Sequence, residues 1–310
     1  MWRRRYLGYF IAMMLLYILI FVAIYVYFLR RSKDPYGTFH ISFNKVHGSR
    51  DPPKTEWLNM GLWKDTAVFP EACQALALRL LGAARLKPNG RVLDVGHGSG
   101  DSILLQLSHP ELAKPSLVCG ITSLPAHHHR TRERVNSFLS SADAPDKKPN
   151  VLLFEGDAVW RSDDREHPLS PHFAHEFESI VALDCAYHFD TREEFLRQSF
   201  QRLTPGGCIA LADLCFSTPP GPMFTLFLSR VLGIMPRSNM VTKEQYVRQM
   251  NDVGYKNIEM EDITPFVFPG FQLFLRRRGN IGAAFAGVIG WLQGQGLRFV
   301  VIKGVKSSDR

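Results

Sequence analysis

The run Val92-Leu93-Asp94-Val95 passes directly into Gly96-His97-Gly98-Ser99-Gly100. A short apolar run of this kind reads as a strand buried on both faces. Glycine at every second position then lets the backbone turn tightly and approach a ligand with no Cβ in the way. A helix over Ser102–Ser108 is expected next, its N-terminus facing that ligand. Strand, glycine turn and helix together point to an α/β fold around a nucleotide-type cofactor.

The rest of the chain extends this pattern. Strands are expected at Arg91–Val95, Ser116–Thr122, Val151–Phe154, Ser179–Leu183 and Gly207–Ala212, the last after the turn Thr204-Pro205-Gly206-Gly207. Helices are expected at Pro70–Ala84, Pro125–Ser140 and Arg192–Leu203. A helix over Lys243–Val253 precedes strands at Asn257–Met260 and Leu297–Val305. The alternation predicts a doubly wound, mostly parallel, seven-stranded Rossmann-like sheet with helices on both faces.

The glycine spacing limits the ligand. A dinucleotide fingerprint reads G-x-G-x-x-G, and here the third glycine falls one position early. An NAD site also wants an acid at the end of the second strand, where this chain has Thr122. No G-K-[ST] follows the glycines, so a P-loop is excluded.

Several spaced motifs resemble class I S-adenosylmethionine-dependent methyltransferases. Leu93-Asp94-Val95-Gly96-x-Gly98-x-Gly100 resembles that family's first motif, and Gly120-Ile121-Thr122-Ser123-Leu124-Pro125 a segment of its tocopherol, sterol and cyclopropane-synthase-like branches. Gly156-Asp157-Ala158 resembles the acidic adenine-contacting position, Leu203–Gly207 the turn before strand five, and Asn59-Met60-Gly61-Leu62-Trp63 an N-terminal motif of small-molecule members. The resemblance covers roughly residues 57 to 305. It implies that Asp94, Gly96, Gly98, Gly100, Thr122, Asp157 and Ala158 hold S-adenosylmethionine. Asp94 would brace the turn or accept from the ammonium, Thr122 would meet the ribose, and Asp157 the adenine amino group. His97 either lines the cofactor mouth or faces solvent.

Asp184, Tyr187 and His188 follow the fourth strand, where ligands of open α/β sheets bind. His188 titrates near neutrality and can act as a base, with Asp184 orienting it or meeting the acceptor. The alternative is that Tyr187 and Phe189 pack against the cofactor and His188 makes a structural hydrogen bond. His127-His128-His129 points in three directions on a helix, so no metal site is expected, although His127 can approach the adenine.

Residues 6–29 are 24 consecutive uncharged, mostly apolar positions, long enough to span a bilayer as a helix. The run is too long for a cleavable signal peptide and lacks small residues where cleavage would fall. The chain thus divides into a basic N-terminus at 1–5, a transmembrane anchor at 6–29, a linker at 30–56 and a methyltransferase domain at 57–310. Net charge is +8, and residues 1–56 carry nine Lys/Arg against three Asp/Glu. The basicity is therefore juxtamembrane and suits anionic headgroups, not nucleic acid. Cysteines 73, 119, 185, 208 and 215 form no C-x-x-C pair, which suits buried free thiols and a cytosolic domain.

Segments 219–240 and 264–292 are rich in Phe, Leu, Met and Gly. They read either as a cap packing its own core or as an apolar acceptor pocket or membrane-facing lid, with Arg276-Arg277-Arg278 meeting headgroups. The expected activity is methyl transfer to a small, lipid-like acceptor. Transfer to a soluble secondary metabolite, or an idle binding protein of the same fold, are the alternatives.

Overall fold

The computed structural model describes residues 41–45 and 51–308, apart from 144, 146, 147, 162 and 163. The anchor expected at 6–29 lies outside the described residues. Among the described residues, no helix is long and apolar enough to cross a membrane.

Seven strands form one sheet: β1 (Arg91–Val95), β2 (Leu117–Thr122), β3 (Asn150–Glu155), β4 (Phe177–Leu183), β5 (Leu203–Phe216), β6 (Lys256–Asp262) and β7 (Leu297–Val305). Their order is β3-β2-β1-β4-β5-β7-β6. The first five are parallel, and β7 runs antiparallel to both β5 and β6. Helices α1 (Phe69–Ala83), α2 (Asp101–Ser108), α3 (Pro125–Ser140), α4 (Arg192–Arg202) and α5 (Lys243–Val253) cover the faces. The strand order reverses between β1 and β4, and such a switch point opens a crevice beyond the carboxyl ends of those strands.

β1 and β2 are buried almost throughout, as parallel strands covered on both faces must be. Leu93 and Val95 pack with Phe195, Leu196 and Tyr246 on one face, while Val92 packs with Leu76, Leu80 and Phe268 on the other. β5 runs well past the expected Gly207–Ala212. Its far end gains a second partner, because Cys208–Phe216 pairs with β7. Gly206, with φ +73, sits inside this long strand, not at a turn that precedes it.

The linker boundary moves. Phe43 and Glu56, both placed in the linker at 30–56, are buried. The Phe43 ring lies 5.6 Å from Phe69 and 5.4 Å from Phe274. Asn44 and Trp57 exchange two hydrogen bonds, at 3.0 and 2.9 Å. Residues 41–45 thus belong to the folded domain.

The apolar segments form a short helical stretch over 222–232 and a helical hairpin, α6 (Thr264–Arg276) and α7 (Gly279–Gly294). Phe224, Leu228, Leu232, Val267 and Phe268 join the core, so much of the cap packs inward.

One buried cluster bears on the crevice. Arg192 opens α4 and has no exposed surface; its guanidinium donates to Asp213 at 2.9 Å and lies 3.9 Å over the Tyr246 ring. It also donates to the Asn239 carbonyl, and the Asn239 amide donates to the carbonyls of Tyr187 and Phe189. The turn that carries His188 hangs from this cluster. Removing one partner of a buried ion pair strands the other charge, at a cost of about 3–5 kcal/mol. Arg192→Ala is expected to lower the urea midpoint accordingly, and Arg192→Met with Asp213→Leu to recover much of it. An unchanged midpoint in Arg192→Ala contradicts this role.

Candidate active site

A cavity of about 360 Å³ opens beyond the carboxyl ends of β1, β2 and β4. Four loops build it: the glycine turn after β1 and the loops after β2, β3 and β4. Residues 56–59 close one side.

Gly96 and Gly98 both line the cavity and hold φ values of +75 and +55. A Cβ on Gly96 would stand 2.6 Å from Cys185 Sγ, and one on Gly98 3.0 Å from Leu58 Cδ1. Backbone is therefore the wall here, as the alternating glycines predict. Cys185 closes the site from the β4 side, its thiol donating to the Val95 carbonyl.

Gly100 differs from the expectation. It is the left-handed cap of α2, and its Cβ would meet Thr131 Cγ2 at 2.6 Å. It lets α2 approach α3 and is absent from the cavity wall. Asp94 also lies off the wall. It is fully buried beneath the turn and accepts from Gln106 Nε2 at 2.9 Å, which is the bracing role. Burial pushes its carboxyl up to about 6. Its folded value thus exceeds the ordinary carboxyl value of 3.8, so the protonated form favours the fold and stability falls as pH rises between the two. Asp94→Asn keeps an acceptor for Gln106 and cannot ionise. Its stability relative to wild type is expected to improve from pH 4 to pH 7, read from urea midpoints; a flat difference rules this out.

Thr122, Asp157 and Ala158 all line the cavity. Asp157 Oδ1 accepts from the Val159 amide at 2.9 Å, so this residue also shapes its own turn. His127 reaches the wall from the first turn of α3. His97 lines it too, without facing bulk solvent. It is buried against Gly120, and burial lowers its imidazole to about 3.

On the β4 side, Asp184 and His188 line the cavity, but they do not pair with each other. Asp184 has φ +55 and accepts from the Met60 amide at 2.8 Å. Burial pushes its carboxyl well above the usual range. It thereby pins the 56–63 segment over the cavity. His188 Nδ1 donates to the Ile234 carbonyl, which fixes the neutral tautomer and leaves Nε2 as an acceptor. The ring is open to solvent on the cavity side, and desolvation by the surrounding protein lowers its pKa. Tyr187 corrects the expectation, because it is buried in the core off the cavity wall, with its ring 4.0 Å from that of His188.

Two acids that the sequence did not single out reach the wall. Asp101 accepts from Arg134 at 2.7 and 2.8 Å and from the Glu56 amide at 3.1 Å. Glu56 is paired with Arg130. The i,i+4 spacing puts Arg130 and Arg134 on one face of α3, but no local pattern ties them to acids so far back in the chain.

These residues fit S-adenosylmethionine. The glycine turn leaves the cavity wall free of Cβ atoms at Gly96 and Gly98, as a closely lying ligand would need. Buried polar atoms on the wall, among them His97 Nε2, Ser99 Oγ and Asp184 Oδ1, have no partner among the described residues. Buried polar atoms in native proteins are nearly always paired, by protein, water or ligand.

The methyltransferase domain family matches residues 65–260, more than half the chain. Erythromycin 3''-O-methyltransferase of Saccharopolyspora erythraea is 27% identical over 230 residues, spanning 71% of this chain and 69% of that one. The 27-O-demethylrifamycin SV methyltransferase of Amycolatopsis mediterranei is 27% identical over 218 residues, spanning 70% and 72%. Among solved structures, the cyclopropane synthase MmaA2 of Mycobacterium tuberculosis superposes with a TM-score of 0.62, covering 86% of this chain and 98% of that one at 15% identity, a likeness of fold. The chain belongs to the methyltransferase domain family, and it is an S-adenosylmethionine-dependent methyltransferase.

Proposed function

We propose that this enzyme methylates a hydroxyl group on a small apolar acceptor, at a membrane to which residues 6–29 anchor it. The observation that carries the chemistry is the tethered His188 on the cavity wall. Its Nδ1–H is committed to the Ile234 carbonyl, so Nε2 is free to take a proton. The two curated relatives, both named as methyltransferases of oxygen positions, support an oxygen acceptor.

In this reading Gly96, Gly98, Thr122, Asp157 and Ala158 hold the cofactor, and Asp94 and Gly100 hold the turn from behind. When bound, S-adenosylmethionine would supply an electrophilic sulfonium methyl for the acceptor oxygen and leave as the neutral thioether. His188 Nε2 takes the hydroxyl proton as that oxygen becomes a nucleophile. Asp184 holds Met60, and with it the wall at 56–59, so that the acceptor and the methyl are aligned away from water. The uncharged run at 6–29 supports an anchor, and the absence of paired cysteines supports a cytosolic domain.

Incubation of membrane and soluble extracts with isotope-labelled S-adenosylmethionine, followed by mass spectrometry, tests the acceptor. Labelled methyl ether is expected in the lipid-soluble fraction. Label confined to water-soluble metabolites overturns the apolar acceptor, and label on nitrogen or carbon overturns the hydroxyl.

A further inference from the structure

The α6–α7 hairpin leaves an apolar face uncovered. α7 carries no charged side chain over its 16 residues, yet it lies at the surface. Ile281, Ala284, Val288 and Trp291 share one side at i, i+3, i+7 and i+10 spacing. Ile281 is 62% exposed and Trp291 46%, and Leu273 of α6 is 51% exposed. A helix that is apolar all round is ordinarily buried in a core or in lipid. The neighbouring stretch adds Met223, at 79% exposure, beside Phe224 and Phe227, whose rings pack edge-on against Trp291 at 5.2 and 5.9 Å.

Charge and chain direction identify what covers this face. Residues 219–240 and 264–294 contain no Asp or Glu and five arginines, Arg230, Arg237, Arg276, Arg277 and Arg278. The last three are exposed at the hairpin's tip. The domain's first described residues meet the same tip, because Arg278 lies 5.4 Å over the Phe43 ring and donates to the Phe43 carbonyl. The uncharged run ends at Leu29, 14 residues before Phe43, so extended chain spans at most about 50 Å between them.

We infer that the α6–α7 face lies on an anionic bilayer surface, with Trp291, Ile281 and Leu273 entering the acyl boundary and Arg276 and Arg277 meeting headgroup phosphates. Interfacial helices combine these two features, and tryptophan favours that depth. The same hairpin supports the cavity. Gly270 packs on Trp63, Trp63 N donates to the Phe266 carbonyl, and the 56–63 segment runs on to the cavity wall.

The inference rests on the membrane reading above, so the test separates the two. The full chain is reconstituted into phosphatidylserine-rich vesicles with or without brominated acyl chains, which quench tryptophan on contact. Trp291 is read as the emission difference between wild type and Trp291→Phe. That difference is expected in plain vesicles and lost in brominated ones. Arg276→Gln with Arg277→Gln, and separately Ile281→Glu, are expected to restore it. A difference that survives bromination overturns the inference, and cross-linking through this face to a second copy does the same. Alkaline carbonate extraction reads the anchor independently. Extraction resistance without quenching leaves the anchor and removes the face; quenching in a chain that carbonate releases does the reverse.

Discussion

Gly98→Arg is expected to abolish S-adenosylmethionine binding while the protein stays folded. Gly98 combines a left-handed backbone at φ +55 with a place on the cavity wall. Its Cβ would stand 3.0 Å from Leu58 Cδ1, a flexible side-chain end that can yield. The strain at this residue is about 1–3 kcal/mol for a side chain in that region. The larger effect is steric and electrostatic, since a guanidinium would occupy the cavity and oppose a cationic sulfonium. A loss of at least about 100-fold in affinity follows, equivalent to about 2.7 kcal/mol. Calorimetry with S-adenosylmethionine measures it, and far-UV circular dichroism checks the fold. Affinity within a few-fold of wild type sinks the cofactor assignment. Gly100→Val should fail differently, through stability, because its clash is with Thr131 at 2.6 Å and not with the cavity.

His188→Ala is expected to lower kcat by about 10²–10⁴, the range for a positioned general base, with cofactor affinity unchanged. The pH profile is the more specific readout. Desolvation lowers the imidazole below its ordinary 6.5, so its neutral, basic form persists at physiological pH and to somewhat lower pH. Activity is then lost as pH falls through the lowered value. The acid limb of kcat/KM should lie below about pH 6.5 in the wild type and vanish in the variant. If the variant keeps both the rate and the limb, His188 is structural and alignment alone drives transfer. Glu56 and Asp101 cannot substitute, since both are engaged with arginines.

The elements of the fold were legible because each carries its own local signal. The apolar run before Gly96 makes β1, Pro125 starts α3, and Leu297–Val305 appears as a strand in the place expected. Even the antiparallel last strand was legible as a strand, although not its direction. What failed locally failed for a physical reason. Gly206 looks like a turn before a strand, yet β7 supplies hydrogen bonds that carry β5 far beyond it. Residues 41–45 and Glu56 look like linker, yet Phe274 and Trp57 give the first, and Arg130 the second, partners from elsewhere in the chain.

The sequence by itself determined the mostly parallel α/β sheet, the backbone wall at Gly96 and Gly98, and the placement of Thr122, Asp157 and His188 at or beyond the ends of strands on one edge. Those follow from glycine's freedom at φ > 0, the two-residue period of strands and the switch-point geometry. Only the tertiary structure decided which side chains of those motifs face the cavity. It turned Asp94 beneath the turn, Gly100 toward α3 and Tyr187 into the core. It also brought Glu56 and Asp101 to the wall and Arg192 under His188. The facing direction depends on sheet twist and on what packs behind each residue, and those partners stand a dozen positions or more away in the chain, where no local pattern reaches them.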